Sequence, residues 1–421
     1  MNVARKLLSG VLVFATTAGL VLGSTQFTPK VVAASAVSFS DIGDHWAKDS
    51  INKAAELGLV TGYTDGTYKP GANVTRAEFA AMLARATKHV PSNVNGAFND
   101  VTPTNWAYAD VNKVTALGFV NRVDYPNGFV GSKAMTRIEL AKWMANGLAA
   151  EDGEYNKAQA DSKGPNALIP VAEFFSGGLQ KSDYPFVTVA VGTGLMTGDQ
   201  NGKFNMTANT TRAEVAIILL RYIDVENKKA TDFTGLNELR EVALTGTNFN
   251  TFGKLKVMSP VESQYKNVQD VFGKELTLRN DVATVTISKM IFMDVIPSDS
   301  VHSVYEPMFH YGPDESSIGF YTPKYRVFTE HTFVSKVDDL KRLGSLANQG
   351  LTTQLGRRLF DSSNFTKYGA NSYTGEDTRN VYNKGQGEVN IWGAGVISKT
   401  DIIDTMIHTK DGKMLFIRPI L

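Results

Sequence analysis

Apolar positions fall at helical spacing in three segments that repeat one another. Ile51, Ala54, Ala55 and Leu57 predict a short helix ended at Gly58, where a left-handed C-terminal cap belongs. The pattern returns over residues 111–118 and 187–194. Each copy carries a second apolar stripe downstream: Phe79, Met82 and Leu83; Leu140, Trp143 and Met144; Val215, Ile218 and Leu219. The first and third copies align without a gap over residues 51–86 and 187–222, and the second needs one inserted loop residue. Repetition of this kind marks stacked units that bury a shared core. Three helix-loop-helix repeats closing on one another therefore predict an all-α domain over residues 37–223 or so.

The loops and helix starts carry their own signals. Asp65-Gly66, Asn127-Gly128 and Asn201-Gly202 supply residues that tolerate positive φ, and an aromatic follows each: Tyr68, Phe129 and Phe204. Thr75 with Glu78, Thr136 with Glu139, and Thr211 with Glu214 have capping-box spacing. Inside each box, at the first helical position, sits an arginine: Arg76, Arg137 or Arg212. A cation beside the positive end of a helix dipole costs about 0.3–1 kcal/mol, and three repeats make the same choice. An ion pair with the box glutamate or a solvated face is one explanation. The other is an anion site, where free helix N–H groups and a guanidinium converge on one carboxylate or phosphate. A charge-assisted hydrogen bond of about 1.5–3 kcal/mol outweighs the dipole cost.

Phe39-x-Asp41, Trp46, Gly58, Gly62, Asp65-Gly66 and Thr75-Arg76-Ala77-Glu78 together resemble the S-layer homology (SLH) repeat, present here in three tandem copies. The resemblance covers roughly 190 of 421 residues. It implies a pseudo-trimeric domain with grooves between neighbouring repeats. It also implies non-covalent attachment to a secondary cell-wall polysaccharide on peptidoglycan, commonly one bearing a pyruvyl ketal. The pyruvyl carboxylate would meet Arg76, Arg137 and Arg212, and the grooves would further use Asp41, Gly62, Asp100 and the third-repeat loop glycine, Gly198. Trp46, Tyr63, Trp106 and Tyr184 offer flat faces to sugar rings or pack in the core. The copies are unequal. Arg122 replaces the loop glycine in the second repeat. In the third, Asp161 is the candidate opening aspartate, an insertion follows, and Tyr184 or Phe186 stands in for the tryptophan. At least one groove is therefore expected to be weakened or blind.

Ahead of the repeats, Arg5 and Lys6 precede an apolar run over residues 7–22 and small residues cluster at Ala33-Ala34-Ser35-Ala36. That is the layout of a secretory signal peptide cleaved after Ala36 or Ala34, with no membrane insertion afterwards. Removing residues 1–36 takes Arg5, Lys6 and Lys30 and no acid, leaving 40 basic and 42 acidic residues. So even a balance argues against a nucleic-acid partner. Cysteine is absent, which excludes disulfides, cysteine nucleophiles and thiolate metal sites.

The expected organisation is a signal peptide (1–36), repeats over 37–92, 93–150 and 151–224, a linker (225–231) and a β-rich α+β domain over 232–421. Candidate strands there are residues 241–245, 254–258, 276–278, 282–292, 318–321 and 325–328, with a hairpin turn at Lys410-Asp411-Gly412-Lys413 and a helix over 337–359. His302, Glu306 and His310 have ligand-like spacing, but Pro307 breaks the helix they would need, and no H-E-x-x-H or G-x-S-x-G is present. The expectation is a surface protein with no catalytic residues, cofactor or metal, displaying a structural or interaction module that contacts itself or other surface-layer proteins. The rival expectation is a wall-anchored hydrolase with its active site in 232–421.

Overall fold

A computed structural model describes residues 38–259, 261–278, 281–294, 303–309, 324–338, 367–370, 383–399 and 405–420. The expected signal peptide, residues 318–321, nearly all of the expected 337–359 helix, His302 and His310 lie outside the described residues.

The first repeat consists of α1 (Lys48–Glu56) and α2 (Arg76–Ala86), the second of α3 (Tyr108–Ala116) and α4 (Arg137–Glu151). Two short helices, α5 (Gly153–Asp161) and α6 (Ala172–Ser176), precede α7 (Tyr184–Gly192) and α8 (Arg212–Glu226) of the third. Gly58, Gly118 and Gly194 all have positive φ. At the first two, the glycine N–H and the next residue's N–H bond back to Ala55 and Ala54, or to Thr115 and Val114, closing a Schellman cap.

The repeats are joined through the segments just before their second helices. Val74 N–H donates to Thr210, Thr210 N–H to Met135, and Met135 N–H to Val74, a closed circuit of three backbone hydrogen bonds at 2.8–3.0 Å. All three residues are fully buried. One apolar core runs through all three repeats, with Phe79, Trp143, Phe119, Phe129, Phe204 and Tyr222 among its largest members. Phe79 and Trp143 come from the apolar stripes, and Phe129 and Phe204 from the loop aromatics, that the sequence repeats.

The core does not stop at the third repeat. Residues 225–231, expected to be a linker, contain the end of α8 and the start of a 3-10 turn (Ala230–Asp232). Ala230 is buried, its N–H bonded to the Asp152 carboxylate. Helix α9 (Thr234–Thr245) follows, so the strand expected at 241–245 is corrected to helix. Leu236, Leu239, Val242 and Ala243 recur at helical spacing and are buried, and Gly246 at φ +82° ends the helix. Leu236 belongs to the repeat core, whereas Leu239 and Val242 pack with strand residues of the C-terminal region.

Beyond α9 come α10 (Phe249–Phe252), β1 (Leu255–Val257), β2 (Ala283–Asp294), α11 (Glu306–Phe309), β3 (Lys324–Ser335), β4 (Val389–Ser398), β5 (Thr405–His408) and β6 (Met414–Pro419). They form two antiparallel three-stranded sheets, ordered β1-β6-β5 and β2-β3-β4. The turn predicted at 410–413 joins β5 to β6 with Gly412 at φ +83°. The expected strand at 276–278 is reduced to single bridges at Glu275 and Leu276.

Candidate functional site

Each loop between the paired helices is held by one carboxylate. Asp41 accepts the N–H groups of Tyr68 and Lys69 at 2.8 and 2.7 Å, and Asp100 accepts those of Phe129 and Val130 at 2.9 and 2.8 Å. The third clamp corrects the expectation. Glu173, in the first turn of α6, accepts from Phe204 and Asn205 at 2.9 and 2.7 Å, while Asp161 is paired with Arg240. The clamp lies 27 residues before its aromatic in the first repeat, 29 in the second and 31 in the third. Counting back 27 or 29 residues from Phe204 lands on Gly177 or Phe175, and Glu173 is the first acid beyond them. The clamped residues Lys69, Val130 and Asn205 carry positive φ, so the carboxylates hold a backbone turn that side-chain-bearing residues disfavour.

Burial pushes the pKa values of Asp41 and Asp100 up, but the paired backbone N–H donors outweigh it and hold both carboxyls below the usual carboxylate range. A depressed folded value contributes stability that is fully present above the unfolded value near 3.8 and is lost as pH falls through the folded value. Thermal melts from pH 7 to 2.5 are therefore expected to lose stability below about pH 4, and an Asp41→Asn, Asp100→Asn double variant to show a shallower acid limb.

The three arginines pass between repeats in a closed order. Arg76 Nη1 donates to the Phe129 carbonyl at 2.7 Å, Arg137 Nε to that of Phe204 at 2.7 Å, and Arg212 Nε to that of Tyr68 at 2.8 Å. Each loop aromatic thus gives its N–H to its own repeat's carboxylate and its carbonyl to another repeat's arginine. The helix N-termini are occupied as well. The first two N–H groups of α2 bond to the carbonyls of Lys133 and Gly131, those of α4 to Ala208 and Met206, and those of α8 to Ala72 and Pro70. The third N–H of each takes the hydroxyl of Thr75, Thr136 or Thr211. No free N–H fan remains for an anion, which corrects the expected helix-terminus site. Backbone pairing between repeats has claimed the donors.

The capping boxes are also unequal. Thr75 with Glu78 and Thr211 with Glu214 close both halves, but the second box keeps only the hydroxyl half. Its glutamate, Glu139, is drawn off by Arg76 Nε at 2.7 Å and the Tyr125 hydroxyl at 2.8 Å. Arg137 Nη1 likewise reaches Glu214 at 2.9 Å, and its Nη2 the Thr197 carbonyl at 3.0 Å. Arg212 differs. Its Nη2 donates to the Thr61 carbonyl at 2.6 Å, its guanidinium lies 4.9 and 4.6 Å from the Tyr63 and Tyr68 ring centres, and among the described residues it pairs with no carboxylate. Burial pushes the Tyr68 phenol up to about 12, with Arg212 drawing it back, so it stays a donor, to the Arg212 carbonyl at 2.9 Å.

Trp46 and Trp106 stand 71% and 67% exposed, and Tyr63 38%, so these three are surface faces. Tyr184 instead packs on Phe174, and Phe186 lies under Lys142. The 136-residue offset of the third copy puts Ser182 where Trp46 stands, so that repeat has no exposed indole there. Gly62 is required by packing: a Cβ would overlap the Phe39 ring and the Thr67 carbonyl. Gly198 lies against Gly202, and Arg122 is exposed in a 3-10 turn (Arg122–Asp124). In the C-terminal region, His331 sits on β3, where desolvation holds its imidazole down at about 4, and His408 ends β5 in the other sheet.

An S-layer homology domain model matches residues 38–80, 97–141 and 179–216. The chain is 29% identical over 210 residues to an amylopullulanase of Thermoanaerobacterium thermosulfurigenes, covering 49% of this chain and 10% of that one. It is 27% identical over 258 residues to an S-layer protein of Bacillus licheniformis (59% and 26%) and 24% over 291 residues to the S-layer protein sap of Bacillus anthracis (68% and 32%). The chain thus spans a third or less of the length of these relatives. This chain therefore carries three tandem S-layer homology domains, locked to one another by the arginine that opens each second helix.

Proposed function

We propose that the three repeats anchor the chain, without a covalent bond, to an acidic secondary polysaccharide of the bacterial cell wall. The domains and the S-layer relatives give it a location at the bacterial surface. The groove between the third and first repeats carries the recognition. There Arg212 faces carbonyls and aromatic rings with no carboxylate among the described residues, whereas Arg76 and Arg137 are each neutralised by a glutamate. That difference is the observation on which the reading rests. A carboxylate on the polymer, such as a pyruvyl ketal, would supply the missing counter-charge, with Tyr63 as an adjoining sugar platform. Trp46 and Trp106 would add stacking contacts along the polymer, so that several weak sites on one rigid body give long residence. Residues 232–421 would be the displayed module, structural or adhesive. The relatives named as glycosidases keep a hydrolase as the rival reading of that region.

Co-sedimentation with purified cell walls tests the anchor. Removing the acidic ketal from the wall polymer is expected to lower the bound fraction at least tenfold, and so, more weakly, is a Trp46→Ala, Trp106→Ala double variant. Equal binding to stripped and intact walls would point to attachment through another protein and refute the reading.

A further inference from the structure

The opposite ends of the same three helices also converge. His89 lies three residues past the end of α2, and Glu151 and Glu226 are the last residues of α4 and α8, so each repeat contributes one side chain. His89 Nε2 is 2.8 Å from Glu151 Oε2 and 3.7 Å from Glu226 Oε1, and the three donor atoms all lie within 4.8 Å of one another. A tetrahedral zinc ion with bonds of about 2.0–2.2 Å sets its ligand atoms roughly 3.3 Å apart, inside that spread.

Two further features point to a cation. His89 Nε2 is shut off from solvent yet makes no hydrogen bond, although it sits between two carboxylates. That nitrogen is a buried polar atom in want of a partner, and a cation held by all three groups would supply one. Second, both glutamates occupy helix C-termini, where the dipole is already negative, and neither helix has a basic residue in its last turn. The Lys88 ammonium is turned to Asn227 and the Glu226 backbone carbonyl. Glu226 is meanwhile aimed by the hydroxyls of Thr87 and Tyr222 and the Lys88 N–H, an outer shell of the kind that orients metal-binding carboxylates. Glu151 is solvent-exposed and gives an ion its way in.

We propose that His89, Glu151 and Glu226 form a site for a divalent transition-metal ion that ties the three repeats together at the end away from the grooves. One imidazole and two carboxylates suit zinc, and the all-oxygen preference of calcium and magnesium disfavours them. The ion would do in this cysteine-free chain what a disulfide does elsewhere, bridging helices from all three repeats.

The test uses the full chain, stripped with EDTA and titrated with zinc chloride by calorimetry and thermal melting. One zinc per chain is expected, with a melting temperature raised by roughly 5 °C at a hundredfold excess over Kd. His89→Ala and Glu151→Gln should each weaken binding at least tenfold while melting like the parent in EDTA. Glu151→Gln alters an exposed residue, so it reads the site even if His89→Ala folds poorly. Cobalt substituted for zinc should give a four-coordinate visible spectrum that both variants lose. Absence of saturable zinc binding by the parent, or unchanged binding in both variants, overturns the site.

Discussion

Replacing Arg212 by alanine is expected to weaken wall binding by tenfold or more. The charge-assisted bond it would make to a polymer carboxylate is worth about 1.5–3 kcal/mol, which is roughly one to two decades in Kd. The same change strips donors from the carbonyls of Tyr68 and Thr61, and a buried acceptor left unpaired costs about 1–3 kcal/mol. Stability and binding must therefore be separated. Arg212→Lys keeps a cation in the groove and should recover part of the binding, although a point charge cannot span both carbonyls as the guanidinium fork does. Arg137→Ala removes bonds to Phe204, Thr197 and Glu214 and should cost comparable stability while leaving the bound fraction near that of the parent. The readout is sedimentation with purified walls well below each variant's melting temperature, alongside a melt by circular dichroism. Equal losses of binding in Arg137→Ala and Arg212→Ala would mean that the grooves are not distinguished by charge.

The largest stability effect is expected at Trp143. Its ring is fully buried, with Phe79 and Phe129 ring centres 5.6 and 5.8 Å away. Its indole N–H donates to the Tyr125 hydroxyl at 2.6 Å, which donates to Glu139 at 2.8 Å, which holds Arg76. Trp143→Ala opens a cavity at the centre of the repeat core and should cost about 3–5 kcal/mol, or roughly 5–15 °C in melting temperature. It also releases Tyr125, so the link between the first and second repeats should loosen with the core. Trp143→Phe keeps most of the ring volume and loses the N–H, and about 1–2 kcal/mol is the expected loss. Urea and thermal unfolding followed by circular dichroism measure both. An alanine variant that melts within 2 °C or so of the parent would contradict this account of the core.

The helix pairs were legible because their signals are local. Apolar spacing, cap glycines and threonine boxes are each settled within one turn of chain, and a threefold repetition makes them hard to mistake. The C-terminal region was harder. Val242 and Thr245 favour a strand locally, but the apolar period beginning at Leu236 lets that face pack against both the repeat core and the sheet, and packing decided for helix. The clamp of the third repeat was missed for another reason. The insertion moved it away from the expected opening and a glutamate, one methylene longer, spans from a different starting point to the same two N–H groups.

From the sequence alone came the three repeats, the ends of their first helices and the starts of their second, the family resemblance and the conspicuous arginines, since all of these are patterns among near neighbours. What each arginine touches was decided by the tertiary structure. Its partners lie 53 to 151 residues away, in another repeat, and only closure of the ring sets them beside it. The same holds for His89, just past α2, and for Glu151 and Glu226, the last residues of α4 and α8, which meet because those three helices end together. A helix dipole and a capping box can be read from one segment of chain. The neutralisation of a guanidinium depends on which carboxylate the fold delivers to it, and here the fold delivers one to Arg76 and one to Arg137 but, among the described residues, none to Arg212.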